Sequence, residues 1–232
     1  MEMPNPNPGK NLIIEVNNKK YIRYPIKTHL ITSKDKMIDV VFNYTKDYLK
    51  QKDIVFIGER SLAISQNRSY EIDKVKPSKL ANFLVKFVTK SSYGIGLGSP
   101  QTMQLAIEEV GKIRIIFAAI IGGLTKFFGI KGVFYKIAGP QAKAVDGAAP
   151  YVIPPYNRHV TKAPLNADKI AQEISDKIKV PVVIIDACDL GVWIVGKSKG
   201  VDEKLIIQAL KDNPLGQTNE QTPIGILREV YD

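Results

Sequence analysis

The chain has 232 residues, 44% of them hydrophobic, and a formal net charge of +10. That is enough apolar material for one large domain or two small ones. The single Cys188 excludes an intramolecular disulfide, and His29 and His159 are too few for a His/Cys zinc site to be expected. The longest apolar run, 115–125, spans 11 residues where a membrane span needs about 20, so core burial is expected and no membrane partner.

The first ten residues carry Pro4, Pro6 and Pro8 and no apolar segment that would serve as a signal peptide. A flexible tail is expected over 1–10, and a reducing cytoplasm as the location. Residues 12–16 and 21–24 read as two strands around the Asn17-Asn18 turn, followed by the loop Pro25-Ile26-Lys27-Thr28-His29. Met37, Val40, Val41, Tyr44 and Tyr48 fall at helical spacing and predict a helix over 35–49, with a buried strand at 53–57 after it. Pro77 opens a second helix with Leu80, Phe83, Leu84, Phe87 and Val88 on one face.

The stretch 93–100 holds three glycines ahead of Ser99 and Pro100, a helix cap and first turn. It reads either as a phosphate loop or as a hinge between helices; because it follows a helix rather than a strand, the hinge is preferred. Residues 113–138 carry more isoleucine and phenylalanine than one exposed face holds, so burial by the fold or by a second subunit is expected. Asp146, beside Gly147, either approaches a ligand closely or forms an ordinary aspartate-glycine turn. Asn166 and Asp202 are expected to cap helices, the second ending before Pro214, and a terminal strand is expected over 224–230.

The most informative stretch is 180–191. Val182, Val183, Ile184 and Ile185 form a fully apolar strand expected to end at Asp186, with Asp186 and Asp189 in a tight loop closed by Gly191. Two carboxylates there suit Mg²⁺ or Mn²⁺, which take few protein ligands and fill the rest with water and phosphate oxygens. A strand end and a polar turn account for them equally well. Cys188 reads as a small packing residue, since a nucleophilic thiolate wants an electropositive setting. The lysines are scattered in pairs such as Lys19-Lys20, with no stacking-aromatic or helix-turn-helix signature, so anionic small molecules are expected as partners rather than nucleic acid.

Taken together, Pro25-Ile26-Lys27-Thr28, Asp53-Ile54-Val55-Phe56-Ile57, Val145-Asp146-Gly147, Val183-Ile184-Ile185-Asp186 and Gly216-Gln217 through Thr222-Pro223 resemble the GTP-dependent glutamyl ligases that extend coenzyme F420. The similarity covers most of 22–229. It implies an α+β, mixed-sheet fold of unusual topology in an intertwined dimer, with one domain over 11–232, room for two lobes, and a branch-specific segment over 91–137. It implies that Asp146, Asp186 and Gln217 hold divalent ions, with Asp189 in place of a missing ligand. Nucleotide contacts fall on Ile26, Lys27, Thr28 and His29 and on Gly216, Gln217, Thr218, Asn219, Glu220, Gln221 and Thr222. The chain departs from the family pattern at Ala187, where a hydroxyl residue is usual, at Cys188-Asp189-Leu190-Gly191, and at Glu59 and Ile64, which replace a serine and a nucleotide-contacting lysine. The expected activity is amide ligation of L-glutamate, or a similar amino acid, to an acidic acceptor with Mg²⁺ or Mn²⁺ and GTP, ATP being the other nucleotide considered; the alternative is a catalytically silent nucleotide- or metabolite-binding protein.

Overall fold

The computed structural model describes residues 4–88, 96–130, 132–188 and 191–230. In chain order the elements are β1 (Ile13–Val16), β2 (Lys19–Ile26), α1 (Met37–Thr45), β3 (Ile54–Gly58), α2 (Glu59–Ser65), β4 (Ser69–Glu71), α3 (Lys79–Leu84), α4 (Pro100–Val110), α5 (Lys112–Phe127), α6 (Val133–Ala138), α7 (Pro140–Lys143), β5 (His159–Thr161), α8 (Ala167–Ile178), β6 (Val182–Cys188), β7 (Gly191–Lys197), α9 (Glu203–Ala209) and β8 (Ile224–Val230). The fold is thus mixed α+β. It divides into two compact units, Met1–Asn67 with Pro164–Asp232, and Arg68–Ala163.

The first unit is built on a mixed six-stranded sheet in the order β1-β2-β8-β3-β6-β7. β3 and β6 run parallel, with Gly58 opposite Ile185, whereas β8 is antiparallel to both β2 and β3. Phe56, Val183, Ile185 and Leu227 pack with Ile206 and Leu210 of the α9 region. The alternate residues Val55, Ile57, Val182, Ile184 and Ile226 are also buried, so the central strands are covered on both faces, which is why they read as unbroken apolar runs. Asp53, almost fully buried, accepts two hydrogen bonds from Arg228 at 2.8 and 2.7 Å and one from the Lys50 amide. The pair bolts the start of β3 to β8.

The helix starts follow local chemistry. Asp202 caps α9 by accepting from the Lys204 and Leu205 amides, as expected. Asn166 does occupy the position before α8, but its φ is +51° and its side chain makes no cap hydrogen bond, so backbone conformation rather than capping sets that start. β6 runs two residues beyond the expected end at Asp186, because β7 pairs with it and places Trp193 opposite Asp186. Asp186 therefore sits in a strand and not in a loop.

The second unit joins the short β4–β5 ribbon to α3–α7 around Leu97, Met103, Leu105, Ile107, Ile115 and Val160. Ser99 and Thr102 form a reciprocal capping box at the start of α4. Arg68 pairs with Glu109, and Lys162 with Glu108 and Glu109. The expectation of a buried 113–138 holds in part: Ile115, Ala118 and Ala138 are fully buried and Phe134 and Ile137 pack on the same core, while Ile113, Phe117, Ile120 and Leu124 are exposed.

Gly225 lies opposite Phe56, and a Cβ at that position would overlap the Phe56 ring. Gly225→Ala is expected to destabilise the protein by about 1–3 kcal/mol in urea denaturation, the usual cost of overpacking a filled core. Adding Phe56→Leu should recover part of the loss; no recovery would mean that the ring is not the obstacle.

Candidate functional site

Within the first unit, β2 leads through Pro25 and Ile26 into the 27–29 loop, and α9 leads into the 213–222 loop. Three sets of hydrogen bonds bring these segments together. Arg23, in β2 and with a fully buried side chain, pairs with both carboxylate oxygens of Asp212 and donates to the carbonyls of Asn11 and Ala209. The Thr28 amide donates to the Gln221 carbonyl at 3.1 Å, and the Gln221 side-chain amide returns a bond to the Thr28 carbonyl at 2.7 Å. Asn7, buried although it lies in the expected flexible tail, donates to the Pro214 carbonyl at 2.9 Å and to Thr222 Oγ1 at 2.8 Å. Thr222 Oγ1 in turn donates to the Leu215 carbonyl.

The loop is also folded on itself. Gly216 has a φ of +77°, and a side chain there would collide with the Glu220 carboxylate. That carboxylate accepts from the Thr218 amide at 2.7 Å and from the Thr218 hydroxyl at 2.8 Å. The positive φ is what favours glycine at 216, since the Glu220 carboxylate is the end of a flexible side chain.

Between the two segments lies a cleft of about 630 Å³, within the size range of small-molecule sites. Of the residues expected to contact nucleotide, Ile26, Lys27, Thr218, Asn219, Glu220 and Thr222 line it. Tyr44 and Tyr48 supply an aromatic side, and the tail supplies a further wall through Pro4, Asn5, Asn7 and Pro8. His29 stands behind Tyr44, its Nδ1 3.0 Å from the tyrosine hydroxyl and its Nε2 2.9 Å from Asp35. Asp35 is withdrawn from water, which raises its pKa, but bonds from Thr32 and His29 outweigh this and hold it below the ordinary carboxylate value.

The carboxylates expected to hold metal are distributed differently. Asp186 is half-buried on β6 and Gln217 belongs to the 213–222 loop, both in the first unit; Asp146 is half-buried in the second, where its backbone exchanges hydrogen bonds with Thr161. Asp189, the side chain of Cys188 and the 93–95 part of the glycine loop lie outside the described residues. Among the described residues no three of His, Cys, Asp and Glu stand close enough to hold a metal ion. One carboxylate went unassigned by motif reading. Glu59 is buried at the first position of α2, directly after β3, whose last residue Gly58 pairs with Ile185, the chain neighbour of Asp186. The signal was its place after an apolar strand, at the strand end where open sheets bind ligands. Asp146, Asp186, Gln217 and Glu59 are all hard oxygen donors, a chemistry that fits Mg²⁺ or Mn²⁺.

The cleft's anchoring has a pH signature. Burial pushes the Asp212 carboxyl upward, but the hydrogen bond and charge of Arg23 outweigh it and hold the pKa below the ordinary 3.8. A lowered folded-state pKa contributes stability that is present above the unfolded value and lost as pH falls through the folded one. Asp212→Asn is therefore expected to melt lower than wild type near pH 7, since Arg23 stays buried without its counter-charge, and the gap should narrow below about pH 4. Thermal melts of both proteins across that range check it.

Comparison with known proteins adds the lineage. A search of curated proteins finds no match. The family model described as F420-0:Gamma-glutamyl ligase matches residues 25–199, roughly three quarters of the chain, spanning β2's end, the whole second unit and β6–β7. The resemblance read from Pro25-Ile26-Lys27-Thr28 and the Asp146 and Asp186 segments thus extends over one continuous stretch, and the chain belongs to the F420-0:gamma-glutamyl ligase family.

Proposed function

We propose that this protein is a metal- and nucleotide-dependent ligase that joins L-glutamate, or a similar amino acid, to a carboxylate of an acidic small-molecule acceptor, working in the cytoplasm as an intertwined homodimer. The observation that carries this reading is the cleft of about 630 Å³ lined from both the 25–29 and the 213–222 segments, in a chain whose family is one of glutamate-adding ligases.

A carboxylate does not condense with an amine at neutral pH unless it is activated, and transfer of a nucleotide γ-phosphate activates it as an acyl phosphate. Lys27 on the cleft wall offsets phosphate charge. Glu220 on the same wall would repel a polyphosphate, which favours a divalent cation in the bound state. Asp146, Asp186, Asp189 and Gln217, joined by Glu59, are the residues that would hold Mg²⁺ or Mn²⁺, which when bound neutralises charge developing on the transferred phosphoryl group. GTP is the expected nucleotide from the family resemblance. The formal charge of +10 favours approach of anionic substrates.

Calorimetric titration with GTP in Mg²⁺ or Mn²⁺ tests the reading, followed by a turnover screen of acidic acceptors with glutamate present. Lys27→Ala is expected to weaken GTP binding about tenfold, the loss of one charge-assisted contact. Asp186→Asn is expected to weaken it in metal while leaving the metal-free melting temperature equal or higher, because like-charge repulsion is relieved. Equal GTP affinity with and without chelator would sink the metal-bridged site. Binding without turnover on any acceptor would favour a silent nucleotide-binding protein.

A further inference from the structure

α5 presents an apolar stripe that is exposed among the described residues. Ile113, Phe117, Ile120 and Leu124 recur at i, i+4, i+7 and i+11 and so fall within about 60° of the helix circumference. Ile113 is 86% exposed, and Phe117, Ile120 and Leu124 are each more than half exposed. The opposite side is committed to the fold: Ile115 and Ala118 are in the core, and Gly122 lies so close to Phe134 of α6 that a Cβ would stand 2.9 Å from that residue's own. Just past the helix, Phe128 and Ile130 are also exposed. Ile113 to Leu124 are not scattered singles but one strip along α5, about 17 Å long at the 1.5 Å rise per residue of a helix.

The charge around this stripe has one sign. Residues 74–145 contain eleven Lys and Arg and only two acids, Glu108 and Glu109, so they hold nine of the chain's ten net positive charges. Both acids are already engaged by cations outside that segment, Glu109 by Arg68 and Lys162, and Glu108 by Lys162. Lys112 and Arg114 are exposed on the two flanks of the stripe, and Lys126 is exposed near its end. No helix among the described residues is long and apolar enough to cross a membrane, so a spanning role is excluded for α5.

From this pairing of an apolar stripe with flanking cations we infer that α5 docks in the plane of an anionic lipid bilayer, its isoleucine, phenylalanine and leucine side chains entering the acyl boundary and its lysines meeting the headgroups. An amphipathic helix of this make-up binds by buried apolar area plus attraction to anionic lipid. A second copy of the chain is the weaker occupant, since pairing two such faces brings like charges together around the contact. A nucleic acid answers the lysines but leaves four large aliphatic and aromatic side chains in water.

Co-sedimentation of the full chain with vesicles decides it. Binding to phosphatidylcholine vesicles containing phosphatidylglycerol is expected to be at least about tenfold tighter than to phosphatidylcholine alone, and to weaken as salt is raised. Phe117→Ser with Ile120→Ser should reduce vesicle affinity about tenfold or more with an unchanged melting temperature, because both side chains are exposed. If the double variant melts lower, Ile113→Ser alone provides the same comparison from the most exposed position. Absence of vesicle binding, equal binding to neutral and anionic vesicles, or binding unaffected by these substitutions overturns the inference. So does a lipid-free dimer in analytical ultracentrifugation that the double variant dissociates, or retention on a polynucleotide without vesicle binding.

Discussion

A buried guanidinium needs partners, and the arrangement around Arg23, whose two terminal nitrogens are paired while its Nε has no hydrogen-bond partner among the described residues, is what the first unit depends on. Its counter-charge comes from Asp212 after α9, and its remaining bonds from the Asn11 and Ala209 carbonyls. Removing a charge from water costs several kcal/mol unless pairing and hydrogen bonds return it. The chain therefore has to bring α9's end and the segment leading into β1 to the same point on β2. Once those are fixed, Thr28 and Gln221 meet as a reciprocal pair, and the cleft follows from the residues that continue on either side.

Elements whose cause is local were legible in the sequence. The β1–β2 hairpin follows from its asparagine turn, β3 and the core of β6 from uninterrupted β-branched runs, α4 from Ser99 and Pro100, and α9 from Asp202. Elements whose cause is a partner were not. β7 has the weakly patterned sequence 191–197 and becomes a strand because β6 pairs with it, and the same pairing carries β6 past Asp186. α5 misled for a related reason: composition gives the amount of apolar surface but not the fraction the fold will cover.

The candidate site divides in the same way. The 25–29 and 213–222 segments carried their own signatures, and the cleft brings them together. Asn7 carried none, because its two partners lie 207 and 215 residues away and an asparagine among prolines reads as linker. Glu59 was visible only as a departure from a pattern, and its burial at the start of α2, directly after β3, comes from the fold.

Asn7 has a practical side. Because Pro4, Asn5 and Pro8 wall the cleft and Asn7 is bonded to the 213–222 loop, trimming these residues as dispensable linker would remove one wall of the site together with a clamp on its loop.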